Sequence, residues 1–143
     1  MPLKFGFDQE IATSRSPDAL WNTMERALED SERVPEWPNR FSSLKDRRDG
    51  TLDATYRGLG TESTYRYDLN VSAAERTFRY DAVPGMHPFA GGATVSVTPT
   101  ERGSTLVWKG AYEAGLRQLP QALAFKLVFE PLFFHSLRRG LND

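Results

Sequence analysis

The sequence predicts an α+β fold: a seven-stranded curved antiparallel sheet around a long C-terminal helix, with one or two short helices after the first strand. Three observations lead there. One sharply started helix follows the first strand. Period-two alternation then runs from Phe41 to Glu113, and the chain closes on a segment of helical periodicity.

Residues 3–12 read as a strand, because Leu3, Phe5, Phe7 and Ile11 share one parity while Lys4, Asp8 and Glu10 take the other. Only Gln9 breaks the apolar face. Ser16 is a good N-cap, Pro17 suits the first helical position, and Asp18 sits where the helix dipole favours an acid. Leu20, Met24 and Leu28 make the inward stripe of that helix, widened by Trp21 and Ala27. Ser31 is placed to open a short second helix. Val34-Pro35-Glu36-Trp37-Pro38 then ends helical structure, since each proline removes a donor and restricts the residue before it.

Six strands follow, arriving as hairpins. Leu44 begins one that ends at Asp49-Gly50. Leu52, Ala54 and Tyr56 form the next, closed by a turn at Gly58-Leu59-Gly60. Tyr65, Tyr67, Leu69 and Val71, then Phe78, Tyr80 and Ala82, then Ala93, Val95 and Val97 continue the alternation. Leu106, Trp108, Gly110 and Tyr112 complete it after a turn at Arg102-Gly103. The last helix is expected over about residues 118–141. At 100° per residue, Leu127, Glu130, Phe134, Leu137 and Leu141 fall within roughly 40° of Leu123. Pro131 predicts a kink there.

At 143 residues the chain is expected to form one domain, and 39% hydrophobic with 26% charged residues is a globular composition. A net charge of -1 gives no bulk attraction to nucleic acid or anionic membrane. Zero cysteines exclude disulfides, thiolate catalysis and cysteine-ligated metals; two histidines and no dense carboxylate cluster leave no metal site expected. The N-terminus lacks an apolar signal core, and polar residues interrupt Leu119 to Leu137, so a cytoplasmic protein without a membrane partner is expected.

Glu130 is the outlier of the last helix. A carboxylate inside an apolar stripe is desolvated unless paired, a condition that suits a general acid or base. Lys126, four residues earlier, offers a partner. The alternatives are a structural ion pair or a kink that turns Glu130 outward. All five tyrosines (Tyr56, Tyr65, Tyr67, Tyr80 and Tyr112) share the inward parity with Trp108, and buried hydroxyls need partners. A cavity with a polar aromatic ligand or ordered water would supply them; ordinary packing with hydroxyls at the rim is the other reading. Gln9 would join such a chamber. His87, in the Gly- and Pro-punctuated loop 83–92, is placed to serve as a rim or lid residue able to move protons.

Ser16-Pro17-Asp18-Ala19-Leu20-Trp21 after the first strand, Glu36-Trp37 after the break, and Gly103-Ser104-Thr105-Leu106-Val107-Trp108 in the last hairpin resemble the START-like, Bet v 1-like (SRPBCC) superfamily. The likeness spans nearly the whole chain and is nearest the polyketide cyclase/dehydrase branch. It implies the helix-grip fold and a hydrophobic or aromatic small-molecule partner, with no cofactor, in a monomer or homodimer. A cyclase/dehydratase-like enzyme is then expected, with Glu130, His87 and Tyr67 as proton-transfer groups. Gln9, Trp37, Tyr56, Tyr65, Tyr80, Trp108, Tyr112, Lys126 and Phe134 are the expected ligand contacts. A non-catalytic carrier or sequestering protein, and a protein-interaction module, are the alternatives.

Overall fold

The computed structural model describes residues 3–58 and 60–142. Strand β1 (Leu3–Thr13) leads into helix α1 (Pro17–Asp30). Ser16 caps it as the sequence predicts, its hydroxyl accepting from the Ala19 N–H at 3.1 Å. One turn of 3-10 helix, Ser31–Arg33, follows. The prolines around Trp37 then leave an irregular segment before β2 (Ser42–Asp46).

The remaining strands are β3 (Thr51–Gly58), β4 (Thr61–Ser72), β5 (Thr77–Ala82), β6 (Phe89–Thr100) and β7 (Gly103–Ala114). Leu59, in the expected turn between β3 and β4, lies outside the described residues. The seven strands form one antiparallel sheet in the order β1-β7-β6-β5-β4-β3-β2. The first strand therefore closes against the last, with Gln9 opposite Trp108. Hairpins that follow one another in sequence give the rest of that order without any crossover.

The C-terminal helix is not regular. Helix α2 (Leu119–Ala124) passes into a π-helical turn, Phe125–Phe129, and then into α3 (Glu130–Asn142). Pro131 explains the turn: its ring crowds the carbonyl four residues back and it has no N–H to give. The Glu130 N–H instead bonds the Phe125 carbonyl, five residues back. The extra residue rotates everything upstream relative to α3. Leu123 and Leu127, expected in the buried stripe, are consequently 49% and 68% exposed. Phe125 and Phe129 turn inward in their place, in line with the buried Phe133, Leu137 and Leu141.

The helix is held to the sheet by aromatic contacts. Phe134 lies edge-on to Trp108 at 5.1 Å between ring centroids and packs on Phe7 at 5.6 Å. Phe133 meets Trp37 at 5.4 Å. Gly140 permits the close approach of α3 to the 34–38 segment, since a Cβ there would lie 2.2 Å from the Glu36 carbonyl oxygen.

Arg15 ties the same corner together. Its guanidinium pairs with Glu36 at 2.6 Å and donates to the Leu141 carbonyl at 3.1 Å. The Arg15 hydrogen bond holds the Glu36 carboxyl below its ordinary 4.5. A carboxyl depressed in the folded state contributes stability that is full above pH 4.5 and fades as pH falls through the folded value. Glu36→Gln should therefore lower the melting temperature at pH 7 and flatten the acid limb below pH 4.5. Equal melting curves for the two proteins across that range would refute the assignment.

Candidate functional site

Each tyrosine of the inward face has a small residue opposite it on a neighbouring strand. Tyr56 pairs with Ser63, Tyr65 with Ala54, Tyr67 with Ala82, Tyr80 with Ala93, and Tyr112 with Gly91. These small partners leave the rings room on the inward face. Helix and sheet do not close completely. A cavity of about 380 Å³ lies between β3–β4, the start of β6, and the helical segment from Gln121 to Leu132, a volume within the ~300–1,000 Å³ of small-molecule sites. Several of its wall residues, including Thr61, Gln121, Val128 and Leu132, are exposed, so it opens to the surface. A second space of about 40 Å³ lies deeper and is lined almost wholly by apolar atoms. Tyr56, Tyr67, Tyr112, Phe125 and Phe129 contribute to both.

His87 reaches the outer cavity because of the loop before it. Gly85 takes φ +81°, which allows the turn closed by the Met86 N–H on the Val83 carbonyl. His87 then sits among Tyr65, Tyr67, Phe89 and Tyr112, with ring centroids 4.7 to 6.4 Å away. The Phe89 N–H donates to its Nδ1 at 2.9 Å. Burial pushes the His87 pKa down to about 4. The ring is therefore neutral at pH 7, and with Nδ1 accepting, its proton lies on Nε2.

That tautomer gives the polar chain a direction. His87 Nε2–H faces the Tyr67 hydroxyl at 2.6 Å, and the Tyr67 hydroxyl faces that of Tyr56 at 2.6 Å. Tyr67 accepts from His87 and donates to Tyr56. The Tyr56 proton is left without a protein acceptor among the described residues, on the cavity wall. Burial raises the pKa of both Tyr56 and Tyr67, so both remain protonated donors. A second set lies deeper: the Trp108 indole N–H donates to the Tyr80 hydroxyl at 3.0 Å, and burial pushes Tyr80 up to about 12. Tyr112, also raised by burial, faces Tyr80.

A ring nitrogen signal should report this arrangement directly. In nitrogen-15 spectra at pH 7, His87 should show one protonated nitrogen, Nε2, and no imidazolium. Because its folded pKa lies below the ordinary 6.5, its contribution to stability is full above pH 6.5 and is lost as pH falls toward about 4. A His87 imidazolium at neutral pH would overturn the directed chain.

A profile described as polyketide cyclase / dehydrase and lipid transport matches residues 5–143. The chain belongs to this family. Among solved structures, a point mutant of norcoclaurine synthase from Thalictrum flavum, bound to a transition-state analogue, aligns with a TM-score of 0.69. It is 14% identical, and the alignment covers 99% of this chain and 94% of that one. The di-domain ARO/CYC StfQ from the steffimycin biosynthetic pathway aligns at 0.66 and 15% identity, over 97% of this chain and 50% of that one. A protein from Bacillus thuringiensis gives 0.67 at 17% identity, covering 99% and 100%. These likenesses establish the fold. Curated protein sequences give no significant match.

In this polyketide cyclase/dehydrase-family domain, the residues singled out from the sequence fall into three places. Tyr56, Tyr65, Tyr67, Tyr112 and His87 line the outer cavity. Trp37, Tyr80, Trp108 and Phe134 reach only the deeper space. Glu130, Gln9 and Lys126 line neither. They form their own cluster between β1 and the helix. Gln9 Nε2 donates to Glu130 Oε1 at 3.1 Å, Lys126 Nζ lies 2.9 Å from Oε2, and Lys126 also donates to the Gly6 carbonyl at 2.7 Å. Glu130 is buried, as its place in the stripe implies, but it faces the sheet edge instead of the cavity. His135 is exposed.

Wall residues that alternation alone did not single out include Arg57, Ser63, Phe125 and Phe129. Arg57 stands at the mouth, bonded to Glu62, to Ser43 and to the Asn39 carbonyl. Among the described residues no group of three or more His, Cys, Asp or Glu could hold a metal, and no helix is long and apolar enough to cross a membrane.

Proposed function

We propose that this domain is a cyclase/dehydratase-like enzyme acting on an aromatic or polyketide-like molecule that carries a carbonyl oxygen. The observation that carries this reading is the His87–Tyr67–Tyr56 chain, which ends in an unspent O–H on the cavity wall. A carbonyl oxygen placed there accepts from Tyr56 and is polarised for attack by an enol carbon of the same molecule, closing a ring. As the new carbon–carbon bond forms, the enol becomes a ketone, and its O–H proton passes by way of solvent at the open mouth to the former carbonyl oxygen, now a hydroxyl. That hydroxyl then leaves with the hydrogen of the adjacent ring carbon as water, forming a double bond. The Tyr56 O–H stays protonated and bonds the oxygen throughout. Tyr67 and His87 fix the Tyr56 hydroxyl so that it need not reorient as charge develops. The aromatic walls hold a flexible chain in one reactive shape, and that alignment supplies rate of its own.

Solved relatives in fold support a carbonyl ligand: norcoclaurine synthase from Thalictrum flavum has been solved with dopamine and hydroxybenzaldehyde. A carrier would occupy the same cavity without drawing on the Tyr56 proton. The two readings separate when the protein is incubated with a panel of aryl β-diketones and poly-β-ketone thioesters. Calorimetry gives binding, and mass spectrometry gives cyclised or dehydrated product. Product from at least one compound is expected. Binding across the panel without product from any compound would establish the carrier instead.

A further inference from the structure

The outer surface of the C-terminal helix is the least expected feature of the molecule. The π turn brings Leu119, Leu123 and Leu127 out to water, where Val128 and Leu132 are exposed as well, and Leu116 precedes them, 67% exposed. Pro120 and Pro131 are exposed in the same stretch. Single exposed leucines need no explanation, but a contiguous row of large apolar side chains does. Val128 and Leu132 also belong to the cavity wall, so the row runs up to the mouth. Met86, in the loop that carries His87 on the opposite lip, is likewise exposed.

The exposed charges of the helical segment itself are of one sign. Between residues 115 and 142 the exposed charged side chains are Arg117, Arg138 and Arg139, whereas the single carboxylate, Glu130, is buried and paired with the half-buried Lys126. The apolar half thus has Arg117 at its start and Arg138 and Arg139 beyond its end. A second copy of the chain laid against this face would bring arginines onto arginines in either helix orientation, an arrangement that disfavours self-association.

We propose that this face docks on an anionic lipid surface, with the Leu116–Leu132 row seated at the headgroup boundary and the arginines on lipid phosphates. Helices with an apolar face and a basic border lie in the interface plane, their affinity summing apolar burial and electrostatic attraction. The helix lies on the bilayer and does not cross it. Docking would set the cavity mouth against the membrane and give an apolar ligand a route that avoids water. This surface stands independently of the chemistry proposed for the cavity.

The test is co-sedimentation of the full chain with phosphatidylcholine vesicles, with and without phosphatidylglycerol. Wild-type protein should pellet with the mixed vesicles, pellet much less with phosphatidylcholine alone, and be released by salt. Leu123→Asp/Leu127→Asp should lower partitioning by at least about tenfold with an unchanged melting curve, since both side chains already face water. Arg117→Glu/Arg139→Glu should abolish the preference for phosphatidylglycerol; touching no apolar residue, this pair decides the matter alone if the leucine pair disturbs the helix. Wild-type protein that stays in the supernatant, or an arginine pair that pellets like wild type, overturns the proposal. A dimer in sedimentation equilibrium that the leucine pair dissociates also overturns it and assigns the face to a second copy.

Discussion

Replacing Tyr56 by Phe should lower turnover of a cyclising substrate by roughly 10²–10³-fold while leaving its affinity within a few-fold. Loss of one preorganised donor to a developing oxyanion carries a penalty of that size. The hydroxyl removed is the end of its chain: nothing else among the described residues accepts its proton, and the one buried donor the change strands is the Tyr67 O–H, at about 1–3 kcal/mol of stability. Tyr67 does lose its acceptor, but its own hydroxyl still accepts from His87 at 2.6 Å. The graded series sharpens the test. Tyr67→Phe keeps Tyr56 but frees it to rotate, and strands the His87 Nε2–H; it should reduce turnover by about tenfold and stability by about 1–3 kcal/mol. Affinity and turnover falling in parallel in Tyr56→Phe would make the hydroxyl a binding group, and unchanged turnover would remove it from the chemistry.

Much of the architecture was legible because local signals agreed with one another. Ser16-Pro17 started a helix, the prolines around Trp37 ended one, and the shared parity of five tyrosines marked the inner face. The site was less legible, for two physical reasons. Alternation says which face a residue takes but not how far along the sheet it sits. The separation of Tyr56 and Tyr67 from the deeper Tyr80 and Trp108 therefore depends on register. His87 depends on loop conformation, which periodicity does not encode. In the last helix the error has one cause. A straight helix at 100° per residue puts Leu123 and Leu127 in line with Leu137 and Leu141, but the π turn adds a residue to that count. A signal was present: Phe125, Phe129, Phe133, Leu137 and Leu141 recur every fourth residue. That spacing drifts around a straight helix by about 40° per step and lines up only if an extra residue intervenes.

The second large effect concerns Glu130, and it should fall on stability instead of turnover. Oε1 accepts from Gln9, and Oε2 stands 2.9 Å from the Lys126 ammonium with no hydrogen-bond partner of its own. Glu130→Gln preserves the first contact, because an amide oxygen still accepts from Gln9. It turns an NH₂ group toward Lys126, placing donor against cation at a buried position. Breaking one side of a fully buried ion pair costs about 3–5 kcal/mol. Here the Lys126 side chain is 41% exposed and keeps its bond to the Gly6 carbonyl, so a loss of about 2–4 kcal/mol is expected. Lys126→Met/Glu130→Leu should restore part of that loss, since neither charge is then left uncompensated. Thermal melting reads the stability, and product formation with the substrate used for Tyr56→Phe reads the chemistry. Melting that falls with turnover intact is the outcome expected of a group lining neither cavity. A turnover loss matching that of Tyr56→Phe, with melting unchanged, would move the acid–base chemistry from His87 and the tyrosines back to the helix.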